Sequence, residues 1–206
     1  MELVNGDGER YELERVDANL EGFQREEGAF AQAPNYVYKI KTEDIELNGG
    51  DEISLIITRG DSLPVIEATT QMLGPTEIKS PASQNAVILD FDYVDRNRFI
   101  WQAAEGASIH DLFFNFKYRE RSPETAGSFE PRSVTWRALT NFRETDERVD
   151  VELDGLGFYT FLRGAIEIDP SAERRFDELE MVVVSGGIEI DNFVSVGTAN
   201  LGITST

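Results

Sequence analysis

The sequence predicts an all-β fold, an antiparallel β-sandwich of jelly-roll-like kind with at most one or two short helices. Three observations predict it. Apolar and polar residues alternate with period two over many short runs, as they do on a strand with one buried face. Those runs recur at intervals of roughly 10 to 15 residues and are separated by Gly, Pro, Asn and Asp, the spacing of sandwiches and barrels. Helical spacing, by contrast, is scarce.

In chain order, the opening residues supply a first strand pair, although Leu13, Val16 and Leu20 of RYELERVDANL also fit a helix. YVYKIK at 36–41 alternates, and ISLIITR at 53–59 follows the Asn48-Gly49-Gly50 break. A strand from Val65 to Thr70 begins after Pro64, and AVILDFDYV (86–94) and LFFNFKY (112–118) come next. SVTWRALTNF (133–142), RVDVEL (148–153) and GFYTFLRGAIEI (157–168) complete the central set. Asp169-Pro170 offers a helix N-cap and first-turn proline before SAERRFDEL. MVVVSGGIEIDNFVSV (181–196) reads as a closing hairpin, with Ser185-Gly186-Gly187 as a turn where positive φ is easy. Its facing changes near Asp191-Asn192, where a bulge would let Phe193 and Val194 pack. The stretches 21–35 and 119–132 read as long loops, and the whole chain, 1–206, as a single domain, with a less favoured seam near 120–132.

Composition narrows the environment. There are 39 acidic against 19 basic residues, a net charge of −20, and only Lys39, Lys41, Lys79 and Lys117 among the basic residues are lysines. Such a charge opposes compaction at ordinary ionic strength. At 1 M salt the Debye length is about 3 Å and the repulsion largely disappears. Nucleic-acid binding draws on a basic patch, and here Arg119 to Arg121 and Arg174-Arg175 are flanked by acids, so direct nucleic-acid contact is not expected. The chain has no cysteine, which excludes disulfides, thiolate nucleophiles and zinc-thiolate sites. MELVNGDGERYELERV has no basic region followed by an apolar core, so no signal peptide is expected. No apolar run approaches the roughly 20 residues of a membrane helix, and no membrane insertion is expected.

Candidate chemistry is sparse. His110 is the sole histidine and sits beside Asp111 without a G-x-S-x-G elbow, so a strand-end role is the simpler reading. Asp90, Asp92, Asp95 and Asn97 form D-x-D-x-x-D-x-N, oxygen ligands of the kind Ca²⁺ takes, though without the EF-hand spacing or glycine. They are the weak metal candidates, with TDERVD at 145–150 weaker still, and the solvent face of a strand explains Asp90 and Asp92 as well. Arg59-Gly60-Asp61-Ser62 reads as a tight turn. No pair among 39 acids stands out for glycoside hydrolysis, and no catalysis or cofactor is expected. Trp101, Phe114, Trp136, Asp191 and Asn192 are the ligand or interface candidates. LFFNF and GFYTF put aromatics on both faces of expected strands, which points to rings covered by a partner.

The acid-rich, lysine-poor composition resembles that of proteins from salt-accumulating haloarchaea and their viruses. Residues 181–196 resemble the last hairpin of galactose-binding-like sandwiches. Taken with the all-β pattern and the absence of an evident active site, the first resemblance implies a structural virion protein of a haloarchaeal virus. It would be a capsid or tail component in the virion after synthesis in the host cytoplasm. It would act by self-assembly, with copies of itself and other virion proteins as partners. The second implies the alternative, a carbohydrate-binding sandwich module.

Overall fold

The structure, a computed structural model, describes residues 1–23, 34–81, 91, 93–121, 123 and 127–203, with side chains as far as residue 197. It is an all-β, antiparallel, sandwich-like chain with two α-helices among the described residues. Backbone proximity groups it into two compact units, Met1–Gly74 and Pro75–Thr206.

The first unit has six strands: β1 (Glu2–Val4), β2 (Arg10–Glu12), β3 (Glu14–Asp17), β4 (Tyr36–Lys39), β5 (Glu52–Ile57) and β6 (Ile66–Gln71). They form one sheet in the order β2-β1-β5-β6 and a β3-β4 ribbon. Leu3 stands between Tyr11 and Leu55, and the Ser54 and Thr69 hydroxyls meet at 2.8 Å across β5 and β6. The helix that Leu13, Val16 and Leu20 allowed is not formed, because residues 10–17 spend their backbone groups in β2 and β3. Gly50 adopts φ 93, and a Cβ on Gly49 would lie 2.4 Å from the Gly74 Cα, so that break is glycine for backbone reasons. Arg59 pairs with Asp61 at 3.7 Å while Asp61 accepts from the Leu63 amide at 3.1 Å, a self-contained turn.

The second unit stacks two three-stranded sheets. One is ordered β11-β8-β7, from β7 (Glu77–Ser80), β8 (Arg96–Gln102) and β11 (Arg148–Asp154); β7 and β8 escaped the sequence reading. The other is β10-β9-β12, from β9 (Ile109–Arg121), β10 (Glu130–Arg143) and β12 (Glu173–Gly186). On β9 the alternation holds: His110, Leu112, Phe114 and Tyr118 are buried while Asp111, Phe113, Asn115 and Lys117 face outward and are less covered. Phe99 of β8 meets Phe114 at 5.0 Å and Trp101 meets His110 at 5.7 Å, which locates the core between the sheets. The 120–132 stretch lies inside this unit, where Glu120 pairs with Glu130 across the β9-β10 hairpin. Of the expected strand at 86–94, only 91, 93 and 94 fall among the described residues.

Three local readings are corrected. GFYTF is not a strand but part of helix α1 (Gly155–Ala165), capped by Asp154, whose Oδ1 accepts from the Gly157 amide at 2.5 Å. Phe158 is buried by α1 and stacks on Phe91 at 4.6 Å; Trp136 lies 5.6 Å from it and 6.4 Å from Phe161. Phe158 therefore fills the core, Phe161 is half-buried beside Trp136 and Tyr159 is exposed, all on a helix and not on two strand faces. No helix follows Asp169-Pro170: Asp169 accepts from the Ser171 amide (2.8 Å) and hydroxyl (2.6 Å) in a side-chain turn, and β12 starts at Glu173. Finally, IEIDNFVSV is the start of helix α2 (Ile188–Ile203), so the closing hairpin does not exist.

Candidate functional site

The end of β12 and the start of α2 gather the polar groups of interest. Gly186 is glycine for close approach, since a Cβ there would lie 2.9 Å from Ile109 Cγ2 and 3.1 Å from Ile190 Cβ. Neither it nor Gly187 is among the left-handed glycines, which are Gly8, Gly22, Gly50, Gly106 and Gly127. From this seat α2 departs with Glu189 and Asp191 in its first turn, where carboxylates complement the helix dipole. Arg143, at the end of β10, donates from Nε to Asp191 Oδ1 at 2.6 Å and from Nη2 to Ser195 Oγ at 2.9 Å. Asp191 and Ser195 are one turn apart on the same helix face, so that face is held to the sheet. Several apolar side chains of its described part are open: Phe193 is 78% exposed, Val196 62%, Ile190 55% and Ile188 54%.

Beneath this junction lies His110, 1% exposed. Its Nε2 sits 3.3 Å from the Glu144 carbonyl oxygen and its Nδ1 2.9 Å from Ser185 Oγ. A carbonyl only accepts, so Nε2 carries the hydrogen and Nδ1 accepts from the Ser185 hydroxyl. Ser185 Oγ in turn accepts from Thr76 Oγ1 at 3.1 Å, linking the start of β7 to the end of β12. Burial pushes the imidazole below its ordinary range, with the Glu144 carbonyl acting in the opposite direction. Distance alone would suit Ser185 and His110 to nucleophile and base. A backbone carbonyl rather than a carboxylate orients the ring, however, and the ring is closed off from solvent, so the arrangement is a buried strand-end network.

The predicted site residues separate. Trp101 and Phe114 are fully buried core side chains, and Trp101 Nε1 has no hydrogen-bond partner among the described residues. Trp136 is half-buried against Phe114 at 5.7 Å, in the aromatic cluster under α1. Asp191 is held by Arg143, and Asn192 is exposed. Asp90 and Asp92 lie outside the described residues; the Asp95 carbonyl accepts from the Gly155 amide at 3.4 Å. Among the described residues no three His, Cys, Asp or Glu side chains converge as metal ligands. Asp150 of TDERVD is engaged by Arg98, whose hydrogen bond holds that carboxyl below its usual range.

Sequence reasoning missed Arg143 and Ser185, because nothing in a linear pattern marks a partner 48 or 75 residues away. It also missed the ion-pair ladder on the outer face of β9 and β12. Lys117 lies between Glu180 (3.0 Å) and Glu178 (3.2 Å), and Arg119 meets Asp177 at 3.1 Å. Glu173 takes both Arg175 and Arg121 there, while on the opposite face of the same strands Arg174 meets Glu120 at 2.5 Å. Those cations are spent within the sheet. No family model, curated protein or solved structure matches this chain.

Proposed function

We propose that this chain is a structural virion protein of a haloarchaeal virus, a capsid or tail component that works by self-assembly in concentrated salt and carries out no catalysis. The observation that carries the reading is α2. Ile188, Ile190, Phe193 and Val196 stand 54–78% exposed within ten residues of α2, and exposed large apolar side chains gathered on one element are the mark of an interaction surface. The surface chemistry supports the salt environment: net charge −20 calls for screening. The test is the mass of the purified protein in about 3 M salt, where screening is nearly complete, by light scattering coupled to gel filtration. Discrete rings or shells support the reading. A monomer at every salt concentration removes it.

One observation favours the carbohydrate-binding alternative. Tyr93 and Tyr159 form an exposed ring pair, 59% and 40% accessible with centroids 6.0 Å apart, at the start of α1. Sugars stack on such rings. A monomer that binds glycans in high salt and loses them on Tyr159→Ala would establish this module and displace the assembly reading.

A further inference from the structure

We infer that Asn48 is a site of spontaneous modification, at which water converts its carboxamide to aspartate and to isoaspartate, the form that lengthens the backbone. The site lies within the first compact unit and is independent of the assembly reading.

The chain contains two Asn-Gly pairs, Asn5-Gly6 and Asn48-Gly49. In such a pair glycine puts no side chain beside the backbone nitrogen that attacks the asparagine. The fold treats the two pairs oppositely. Asn5 is 5% exposed, and its carboxamide is tied at both ends. Its Oδ1 accepts from the Glu9 amide at 2.9 Å, while Nδ2 donates to the Glu46 carbonyl at 3.3 Å and to the Tyr11 hydroxyl at 3.4 Å. Turning that group onto the Gly6 nitrogen requires the turn to open. Asn48 is exposed, and its carboxamide has no hydrogen bond among the described residues. Its main chain is held: the Asn48 amide donates to Asp51 Oδ2 at 3.0 Å, and its carbonyl accepts from the Asp51 amide at 3.2 Å. The Gly49 amide between them donates to no acceptor among the described residues, so nothing competes for its nitrogen.

The chemistry needs only water. The deprotonated Gly49 nitrogen attacks Asn48 Cγ, a five-membered succinimide closes, and Nδ2 leaves as ammonia. Water then opens the ring. Cleavage of the bond from nitrogen to Cγ gives aspartate. Cleavage of the bond from nitrogen to the main-chain carbonyl carbon gives isoaspartate, with Cβ and Cγ now in the backbone. One water is consumed, one ammonia is released, and nothing is oxidised or reduced.

The consequence follows from packing. Gly49 lies so close to Gly74 that a Cβ on it would stand 2.4 Å from the Gly74 Cα. Isoaspartate adds a methylene to the chain just before this closed contact. The displacement falls on the Gly50 amide bond to the Met72 carbonyl (2.7 Å) and the Met72 amide bond to the Asp51 carbonyl (2.8 Å). These two bonds close the end of the β5-β6 pair, where Glu52 faces Gln71.

The test uses the full chain in about 3 M KCl, where its charge is screened. It is aged in mildly alkaline and mildly acidic buffer, with the unfolded chain in guanidinium chloride alongside to set the length of incubation. Trypsin cleaves after Arg10, Lys41 and Arg59, so the pairs fall on separate peptides, 1–10 and 42–59, each with one asparagine. In the folded chain 42–59 is expected to convert at least about tenfold faster than 1–10, the ratio that about 1.4 kcal/mol of opening free energy at Asn5 imposes. Conversion is expected to be faster in alkali, with isoaspartate identified by electron-transfer fragmentation, and the unfolded chain is expected to convert both peptides alike. Equal rates in the folded chain, or an unchanged 42–59 there while the unfolded chain converts it, would overturn the assignment. The aged protein, separated from unreacted chain by anion exchange, is then compared with Asn48→Asp, which carries the same charge on an ordinary linkage. Amides of residues 50–53 and 70–72 are expected to exchange at least about fivefold faster in the aged protein alone, the equivalent of about 1 kcal/mol. Equal exchange in the two would overturn the lengthened backbone as the product.

Discussion

Arg143 Nε donates to Asp191 Oδ1 at 2.6 Å, joining the last residue of β10 to the first turn of α2. The arginine is half exposed while the aspartate side chain is only 17% exposed, and Ser195 Oγ completes a fork at 2.9 Å. An ion pair of this accessibility contributes about 0.5–1 kcal/mol, less in high salt. In Arg143→Ala, amides of residues 189–195 are expected to exchange up to about fivefold faster, the equivalent of about 1 kcal/mol. Amides of β9 keep their protection. Hydrogen exchange by mass spectrometry checks this, and equal protection of α2 in both proteins would show that Arg143 does not hold it.

Gly186 makes the second prediction. A methyl group there meets Cγ2 of buried Ile109 at 2.9 Å and Cβ of Ile190 at 3.1 Å, and a Cβ fixed to the helix backbone cannot swing away. Gly186→Ala is expected to destabilise by about 1–3 kcal/mol, the usual range for overpacking. Gly60→Ala, with nothing within 4 Å of the added Cβ, is expected to be neutral or slightly stabilising. Thermal unfolding at one fixed salt concentration compares them, and similar midpoints for the two variants would remove the close-approach explanation.

The contrast between these glycines shows what a sequence carries. Strands β9, β10 and β11 were legible because one face of each is more covered than the other, and burial of a face writes period two into the residues. Helix α1 was misread as a strand although a helical signal was present. Phe158, Phe161 and Leu162 share a helix face and Asp154 is an N-cap, yet Phe158-Tyr159 and Phe161-Leu162 also satisfy a strand. Ile188, Ile190, Val194 and Val196 are β-branched and alternate, so local preference favours a strand where the seat at Gly186 and the Arg143 fork hold a helix. Of the candidate site, Asp191 was visible as a polar break, while its partner Arg143 is a fact of tertiary structure. Of the tryptophans named as ligand or interface candidates, Trp101 is fully buried and Trp136 half-buried in an aromatic cluster, since aromatic residues fill interiors more often than they decorate surfaces.

The interior of α1 supplies a third prediction. Phe158 is 5% exposed, stacks on Phe91 and borders Phe116 and Trp136, whereas its neighbour Tyr159 is 40% exposed. On a helix, successive residues point about 100° apart, so one can plug the sandwich while the next meets water. Phe158→Ala is expected to cost about 3–5 kcal/mol and Tyr159→Ala under about 1 kcal/mol. Denaturant melts of both variants test it. Equal losses would mean that α1 does not cover the core as described.

His110 yields the last prediction, and its sign follows from the network. Folded, the ring is buried and neutral, donating to the Glu144 carbonyl and accepting from Ser185, so burial depresses its proton affinity. Unfolded, it binds a proton near pH 6.5, its ordinary value. Near and below that pH the unfolded chain therefore holds more protons than the folded one, and stability falls as the solution is acidified. The contribution is complete above about pH 6.5, and its slope is at most about 1.4 kcal/mol per pH unit for one proton. Asp150, Asp169, Glu173 and Glu180 are also held below their usual range, through bonds to Arg98, Ser171, Arg175 and Lys117 respectively. Their stabilising effect is present above the ordinary carboxylate values of about 4 and is lost below them. The interval between about pH 6.5 and 4.5 thus reports mainly on the histidine. Denaturant unfolding at constant high salt should show wild-type stability declining across that interval. His110→Gln, which keeps a donor and an acceptor but does not titrate, should stay level there. A wild-type profile that is flat in this range, or a variant with the same slope, would mean that the ring is not held neutral by the strand-end network.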